Sequence, residues 1–337
     1  MRIIIGFAMR TATAFSVAAM ATIAATTTAL AADLRMVSSF PDGFVFTEEI
    51  AKPFMAAVEE ATADTDGGAV TMALTGPDAV SPLEQLEPVQ AGVFDVLFTH
   101  PAYHAGVTSL GLAIDAIEPD PAARREAGII AALDEHYAGL GLKLIAAPPT
   151  GSEGFQYVLK EPIDGEPAFE GLKLRGTVSY HPMIEALGGS PVVMGGGEVY
   201  SALQTGVVDG AAWGLTGVKD FKWNEVAGYL TRPVFGQVGV MVLMNRDAWD
   251  GLTDAQREAI ETAATELETA SVARFDELAA AEFEELKSLG MRETTFSDAE
   301  AERLEELWAE GVWSVASGAG EEATALRELA RDAGLTR

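Results

Sequence analysis

Along this chain the apolar positions switch repeatedly between a period of two and a period near 3.6, which predicts strands alternating with helices. DLRMVS (33–38) reads as a first strand and runs into Ser38-Ser39-Phe40-Pro41-Asp42-Gly43. From about Thr47, the run TEEIAKPFMAAVEEAT sets Ile50, Phe54, Ala57 and Val58 on one helical stripe. Pro53 falls inside that run and is expected to kink the helix or delay its start. Residues 69–74 predict a second strand, opening into the turn Gly76-Pro77-Asp78. A helix follows from Ser81 through Leu83, Leu86 and Val89 to its end at Gly92, and 93–99 (VFDVLFT) predicts a buried third strand. Strand–helix–strand repetition of this kind belongs to an open α/β sheet.

The pattern then repeats. A strand at 142–147 leads into PPTGSEGFQYVLKEPI (148–163), where a first lobe is expected to hand over to a second. Strands at 172–175, 191–194 and 207–212 alternate with helices at 180–187 and 198–205. VQAGVFDV (89–96) and LQTGVVDG (203–210) share the sequence QxGxxD, a helix end carried into a strand. One plan used twice is the simplest account. Farther on, Thr253-Asp254 caps a run from 254 to 289 that contains no Gly or Pro. Such a helix extends roughly 54 Å at 1.5 Å per residue, against about 30–40 Å for one lobe of this size. It must span both lobes or leave the globule; a coiled coil fits poorly, because the stripe is Ala-rich and not a clean heptad.

The first residues stand apart from this grammar. Arg2 and Arg10 form a positive region ahead of an uncharged small and apolar segment (11–31) that closes on Ala29-Leu30-Ala31, the pattern of a secretory signal cleaved after Ala31. A retained anchor is the alternative, disfavoured by the Ala/Thr-rich composition and the cleavage site. The expected division is therefore a signal at 1–31, lobe I at 32–153 with about 244–275 returning to it, and lobe II at 154–243 with about 276–337 packing on it. Removal of the signal leaves 20 Lys+Arg against 51 Asp+Glu, a net charge near −31. That excess argues against nucleic-acid binding and against docking on anionic lipid. Cysteine is absent, so neither disulfides nor thiol chemistry are available.

Catalytic signatures are scarce. His100 and His104 are four apart, but Pro101 between them favours a loop over a helical metal site. No GxSxG, HExxH or Walker sequence is present. Gly195-Gly196-Gly197 lacks the following Lys of a phosphate cradle and reads as a turn capping the next helix. Binding features at strand exits remain: Ser39, Phe40, Asp78, Thr99, His100, Gln156, Tyr157, Arg175 and Trp213. Arg175 is the one fixed cation among them, with a planar fork suited to a carboxylate. On these residues alone it is a surface charge, an internal ion-pair partner or a ligand hook, while Phe40, Tyr157 and Trp213 are equally readable as core.

The run GLKLRGTVSYHPMIEALGGSPVVMGGGEVYSALQTGVVDGAAWG resembles the signature of DctP-type solute-binding proteins of tripartite ATP-independent periplasmic (TRAP) transporters. The likeness rests on Gly171–Arg175, Leu187–Val192 and Glu198–Gly210, supported by LEPVQAGVFDV (86–96), NRDAWDGL (245–252) and the long helix. It implies an α/β, two-lobed periplasmic-binding-protein-like fold with a hinge and a lobe-spanning helix, a binding protein rather than an enzyme. It also implies Arg175 as carboxylate hook, with Gln156, Tyr157 and Trp213 reading the uncharged part of an organic acid that is delivered to a membrane permease. Two departures bear on the ligand. Gly154-Phe155-Gln156 stands where many members carry Gly-Phe-Arg, and Ala211-Ala212-Trp213 lacks the acid that accompanies cation-bridged ligands. A monocarboxylate without cofactor or metal is the resulting expectation; an exported hydrolase and an extracellular sensor module are the alternatives.

Overall fold

The computed structural model describes residues 32–336, so the expected signal segment lies outside the described residues. Eleven strands run in chain order: β1 (Ala32–Ser38), β2 (Val70–Thr75), β3 (Val96–Thr99), β4 (Leu142–Ala146), β5 (Phe155–Leu159), β6 (Lys173–Arg175), β7 (Ser190–Val192), β8 (Gly210–Gly214), β9 (Tyr229–Arg232), β10 (Met241–Asn245) and β11 (Arg292–Thr295). They form two sheets, ordered β2-β1-β3-β10-β4 and β11-β9-β5-β8-β6-β7. Each sheet is the centre of one lobe. β1, β2 and β3 pair in parallel, as do β6, β7 and β8, and β10 and β5 enter their sheets antiparallel. Besides the long helix that joins β10 to β11, two extended segments cross between the sheets, one after β4 and one before β10. They bridge each other at Pro149–Gly239, and Phe155 exchanges backbone hydrogen bonds with Phe235.

The repeated QxGxxD sequence is a structural repeat. Gly92 and Gly206 both adopt left-handed φ (70° and 76°), the helix-ending conformation glycine permits without a Cβ penalty. Three residues on, Asp95 Oδ2 accepts the Arg35 backbone N–H (2.7 Å) and Asp95 N–H donates to Arg35 O (2.8 Å). In the other lobe Asp209 Oδ2 accepts Lys173 N–H (2.8 Å) and Asp209 N–H donates to Lys173 O (2.7 Å). Each Asp thus pins the start of its strand to the neighbouring parallel strand. The same device moves both strand starts: β3 begins at Val96 and β8 at Gly210, three residues later than the apolar runs suggest. Val93 and Val207 are half exposed in the intervening turns.

Proline accounts for two other departures. The helix expected from Thr47 begins as a π turn, Thr47–Ala51, in which Lys52 N–H reaches back to Thr47 O, and becomes α-helical over Lys52–Thr62. Pro53 has no N–H to donate, so the wide turn ahead of it forfeits no bond. The helix expected from Ser81 to Gly92 is split into a 3₁₀ turn, Pro82–Glu84, and a short helix, Leu86–Gln90. Pro88 belongs in a first turn, which forces the restart.

The long helix is Asp254–Ser288, 35 residues, opened by a capping box between Thr253 and Gln256. Its first half serves lobe I, where buried Glu268 accepts from Arg125 Nη2 (2.5 Å) and Ala147 N–H (2.6 Å). Its second half serves lobe II, where Glu282 accepts from Gly217 N–H (2.7 Å) and Lys219 N–H (2.9 Å). Among the described residues no helix is long and apolar enough to cross a membrane.

Candidate functional site

β6 delivers Arg175 to the cleft between the lobes. Its neighbour Gly176 lets the chain turn there, since a Cβ at 176 would stand 2.8 Å from Tyr180 Cβ. Arg175 is 1% exposed. Its Nε donates to Met194 O (3.1 Å) and its Nη1 to Ala212 O (3.1 Å), whereas Nη2 is buried with no hydrogen-bond partner. The guanidinium carbon lies 5.0 Å from the centre of the Trp213 ring, a cation–π contact. Because Nε is committed to Met194, the side-on face of the fork is closed and the Nη2 corner is what the cleft receives.

That corner faces a narrow cavity lined by Phe40, Phe46, His100, Tyr103, Phe155, Arg175, Thr177, Tyr180, Trp213, Gly214 and Val238. The open space amounts to about 30 Å³, enough for one or two waters. Lobe I contributes the exits of β1 and β3; lobe II contributes the ends of β6 and β8. Trp213 is held by its Nε1 donating to Thr216 O (3.1 Å), and its ring packs against Gly196, where a Cβ would approach to 2.8 Å. Gly195-Gly196-Gly197 is the helix-capping turn the sequence suggests, with Glu198 Oε2 accepting Gly195 N–H (2.8 Å).

His100 Nδ1 accepts Ala102 N–H (3.2 Å), and Nε2 lies 3.1 Å from Oδ2 of fully buried Asp115, off the line of an aligned hydrogen bond. Tyr103 sits in the turn Pro101–His104 that follows β3. Burial pushes its phenol pKa up, and the nearby Arg175 guanidinium and Gly196 N–H pull against that rise.

The structure brings Arg175, Trp213, Phe40 and His100 together on one cavity and places the other expected residues elsewhere. Gln156 shares the sheet face of Trp213, its pairing partner on β8, and of Arg175, but its side chain leans away from the cavity toward Arg232 on β9. There it lines a separate hollow of about 590 Å³, between the crossing segments and the long helix. Its Oε1 accepts from Arg232 Nη1 (2.9 Å). Tyr157 is fully buried in the lobe II core against Phe169 and Phe235, its hydroxyl unpartnered. Ser39 Oγ stands 2.7 Å from both Gln85 Oε1 and Thr99 Oγ1, an internal network tying β1 to β3. Asp78 is exposed on a turn. Tyr103, Tyr180, Phe46, Phe155 and Thr177 were not singled out from the sequence. Tyr103 and Tyr180 follow strand ends by only a few residues, which is the signal that would have found them. Among the described residues no three His, Asp or Glu side chains converge as metal ligands.

A family model described as bacterial extracellular solute-binding protein, family 7 (DctP) matches residues 41–315. A C4-dicarboxylate-binding periplasmic protein DctP of Rhodobacter capsulatus is 41% identical over 100 residues, 29% of this chain and 30% of that protein. A monocarboxylate 2-oxoacid-binding periplasmic protein of Nostoc is 27% identical over 257 residues, 72% of this chain and 68% of that one. Among solved structures, a TRAP periplasmic solute-binding protein from Desulfovibrio salexigens with bound orotic acid superposes with a TM-score of 0.78 at 21% identity, covering 89% of this chain and 98% of that one. DctP7 of Bordetella pertussis, which binds pyroglutamic acid, superposes with the same score at 19% identity, over 89% and 100% of the two chains. The chain thus belongs to the bacterial extracellular solute-binding protein family 7, a family of solute receptors.

Proposed function

We propose that this protein captures an organic acid in the periplasm and hands it to a TRAP permease, and that the acid carries a single carboxylate. The observation that supports it most directly is Arg175 Nη2, a buried guanidinium corner without a partner, facing a cavity walled by aromatic rings. A buried cation left unpaired is costly, and an anion entering from the cleft relieves that cost. Low dielectric strengthens the pairing well beyond its value in water. The remaining lining is aromatic or apolar apart from Thr177 and the tyrosine hydroxyls, with His100 facing Asp115. It suits a flat or apolar body and offers no second fixed cation for a second carboxylate.

Relatives differ on this point. The Rhodobacter protein is named for C4-dicarboxylates and the Nostoc protein for monocarboxylate 2-oxoacids. In one solved relative from Rhodoferax ferrireducens the ligand is malonate. The exported-hydrolase alternative is not favoured, since the matching family consists of solute-binding proteins.

A thermal-shift screen with matched mono- and dicarboxylates tests the reading, because a ligand that binds the folded state raises the melting temperature. Pyroglutamate, 2-oxobutyrate and orotate are expected to shift it more than succinate or malonate. Tight binding of the diacids with none by the monoacids contradicts the single-carboxylate assignment.

A further inference from the structure

Arg175 presents one corner, and a carboxylate has two oxygens. Nε and one N–H of Nη1 are engaged with Met194 O and Ala212 O, which leaves Nη2 as the buried unpartnered corner, and a carboxylate held there gains from a further donor on the cavity wall. The candidates are few. Trp213 Nε1 is committed to Thr216 O, and His100 faces Asp115. Thr177 Oγ1 is within 3.3 Å of Ser179 Oγ. The phenols of Tyr103 and Tyr180 remain. Tyr180 comes from the same lobe as Arg175, in the turn Val178–Tyr180 after β6. Tyr103 comes from the other lobe, is 5% exposed, and is held by the Phe40 ring at 6.1 Å and the His100 ring at 6.5 Å. It lines the same cavity as Arg175, whose charge acts on its phenol.

We propose that Tyr103 is a ligand-binding residue, its hydroxyl donating to the carboxylate oxygen that Arg175 Nη2 leaves free, so that the anion is gripped from both lobes at once. The inference rests on the carboxylate reading of the cavity and adds a role to it. Arg175 belongs to lobe II and alone makes no distinction between an open and a closed cleft. A donor from lobe I reaches the anion when the cleft is shut. Ligand charge then acts directly on closure, since the tyrosine–anion bond exists in the closed state and is lost in the open one.

Wild type, Tyr103→Phe and Arg175→Ala are compared by calorimetry against pyroglutamate, 2-oxobutyrate, orotate, malonate and succinate. Small-angle scattering with and without the tightest acid reports closure. Circular dichroism checks that each variant is folded, and Tyr103→Leu serves as a second variant if Phe at 103 does not fold. Removal of the hydroxyl is expected to weaken the best acid 10- to 100-fold and to reduce the compaction seen at saturation. Affinity within threefold of wild type in Tyr103→Phe, with binding abolished in Arg175→Ala, overturns the role of Tyr103 and leaves the carboxylate reading standing. No binding of any acid by wild type, or unchanged binding by Arg175→Ala, overturns that reading and the role of Tyr103 with it.

Discussion

Gln156 Oε1 and Arg232 Nη1 meet at 2.9 Å on the sheet face that Gln156 shares with Arg175, two strands away from it. The residue at which the family resemblance leads one to expect a second arginine is therefore tied to an arginine of its own lobe. Arg232 is further engaged by Glu293 (2.9 Å) and by the Phe283 ring (4.5 Å). Gln156→Arg is accordingly expected to set two guanidinium groups side by side, lowering stability by about 1–3 kcal/mol through the lost acceptor alone, with no shift in ligand preference toward diacids. Denaturant titration and succinate calorimetry on the variant check both parts. A gain in succinate affinity shows that residue 156 reaches the ligand cavity.

The lobes meet in an aromatic contact beside the Arg175 cavity. Phe44, in the loop after β1, stacks on Phe221 of the other lobe (centroids 4.7 Å, 29°) and meets Trp213 edge-on at 6.2 Å. Val45 N–H donates to Asp220 Oδ2 (2.9 Å) beside it. Aromatic pairs of this kind contribute about 0.5–1.5 kcal/mol beyond their buried area. Phe44→Ala is expected to weaken ligand binding at least threefold, mainly through faster release, and to shift scattering toward the open form. Unaltered release kinetics place Phe44 outside the closing contact.

His104 supplies a pH dependence of known sign. Burial, with His100 and His136 nearby, lowers its pKa from 6.5 to about 3, so it is neutral in the folded protein and donates to or accepts from Tyr137 at 2.8 Å. The unfolded chain binds a proton there below about pH 6.5 and the folded protein does not until about pH 3. Stability is therefore full above pH 6.5 and falls as pH drops through that window, by up to about 1.4 kcal/mol per pH unit. His104→Gln keeps a polar partner for Tyr137 and removes the proton. Denaturant titrations at pH 7.5, 6 and 5 are expected to show a pH slope shallower by one proton than wild type; an identical slope assigns the loss to other groups.

The repeated aspartates are expected to be equivalent in energy as well as geometry. Replacing Asp209 by Ala removes a carboxylate that accepts a backbone N–H, a charged hydrogen bond contributing about 1.5–3 kcal/mol. Asp95→Ala also breaks the contact with Arg35 (2.8 Å), whose exposed guanidinium adds little. Denaturation midpoints of the two variants are predicted to lie close together, and a large effect at one site with none at the other denies the repeat a common structural role.

Much of this architecture is legible because it depends on local patterns. Thr253 and Gln256 announce the start of the long helix, and the absence of Gly and Pro carries it to Ser288. The twofold QxGxxD sequence encodes a turn and a pin that recur in both lobes. β10 is harder to see: Met241–Asn245 is buried on both faces, so its apolar run shows no alternation. The reach of the β5 side chains escapes for a different reason. Gln156 does share the sheet face of Trp213 and Arg175, but its side chain turns to Arg232, while Phe155 reaches the cavity from the first position of β5, choices made by tertiary packing. Tyr103 was obscured by its setting between two histidines that draw attention to metal chemistry.

The central claim is that Arg175 binds the carboxylate of the solute. Isothermal calorimetry with the tightest acid of the screen, on wild type, Arg175→Ala and Arg175→Lys, tests it most directly. Breaking a buried charged pair costs about 2–5 kcal/mol, so Arg175→Ala is predicted to bind roughly 30- to 5,000-fold more weakly. Lys at 175 cannot reproduce the hydrogen bonds to Met194 O and Ala212 O while presenting a donor to the cavity, and it is predicted to lose most of the affinity as well. Wild-type affinity in a folded Arg175→Ala protein contradicts the account.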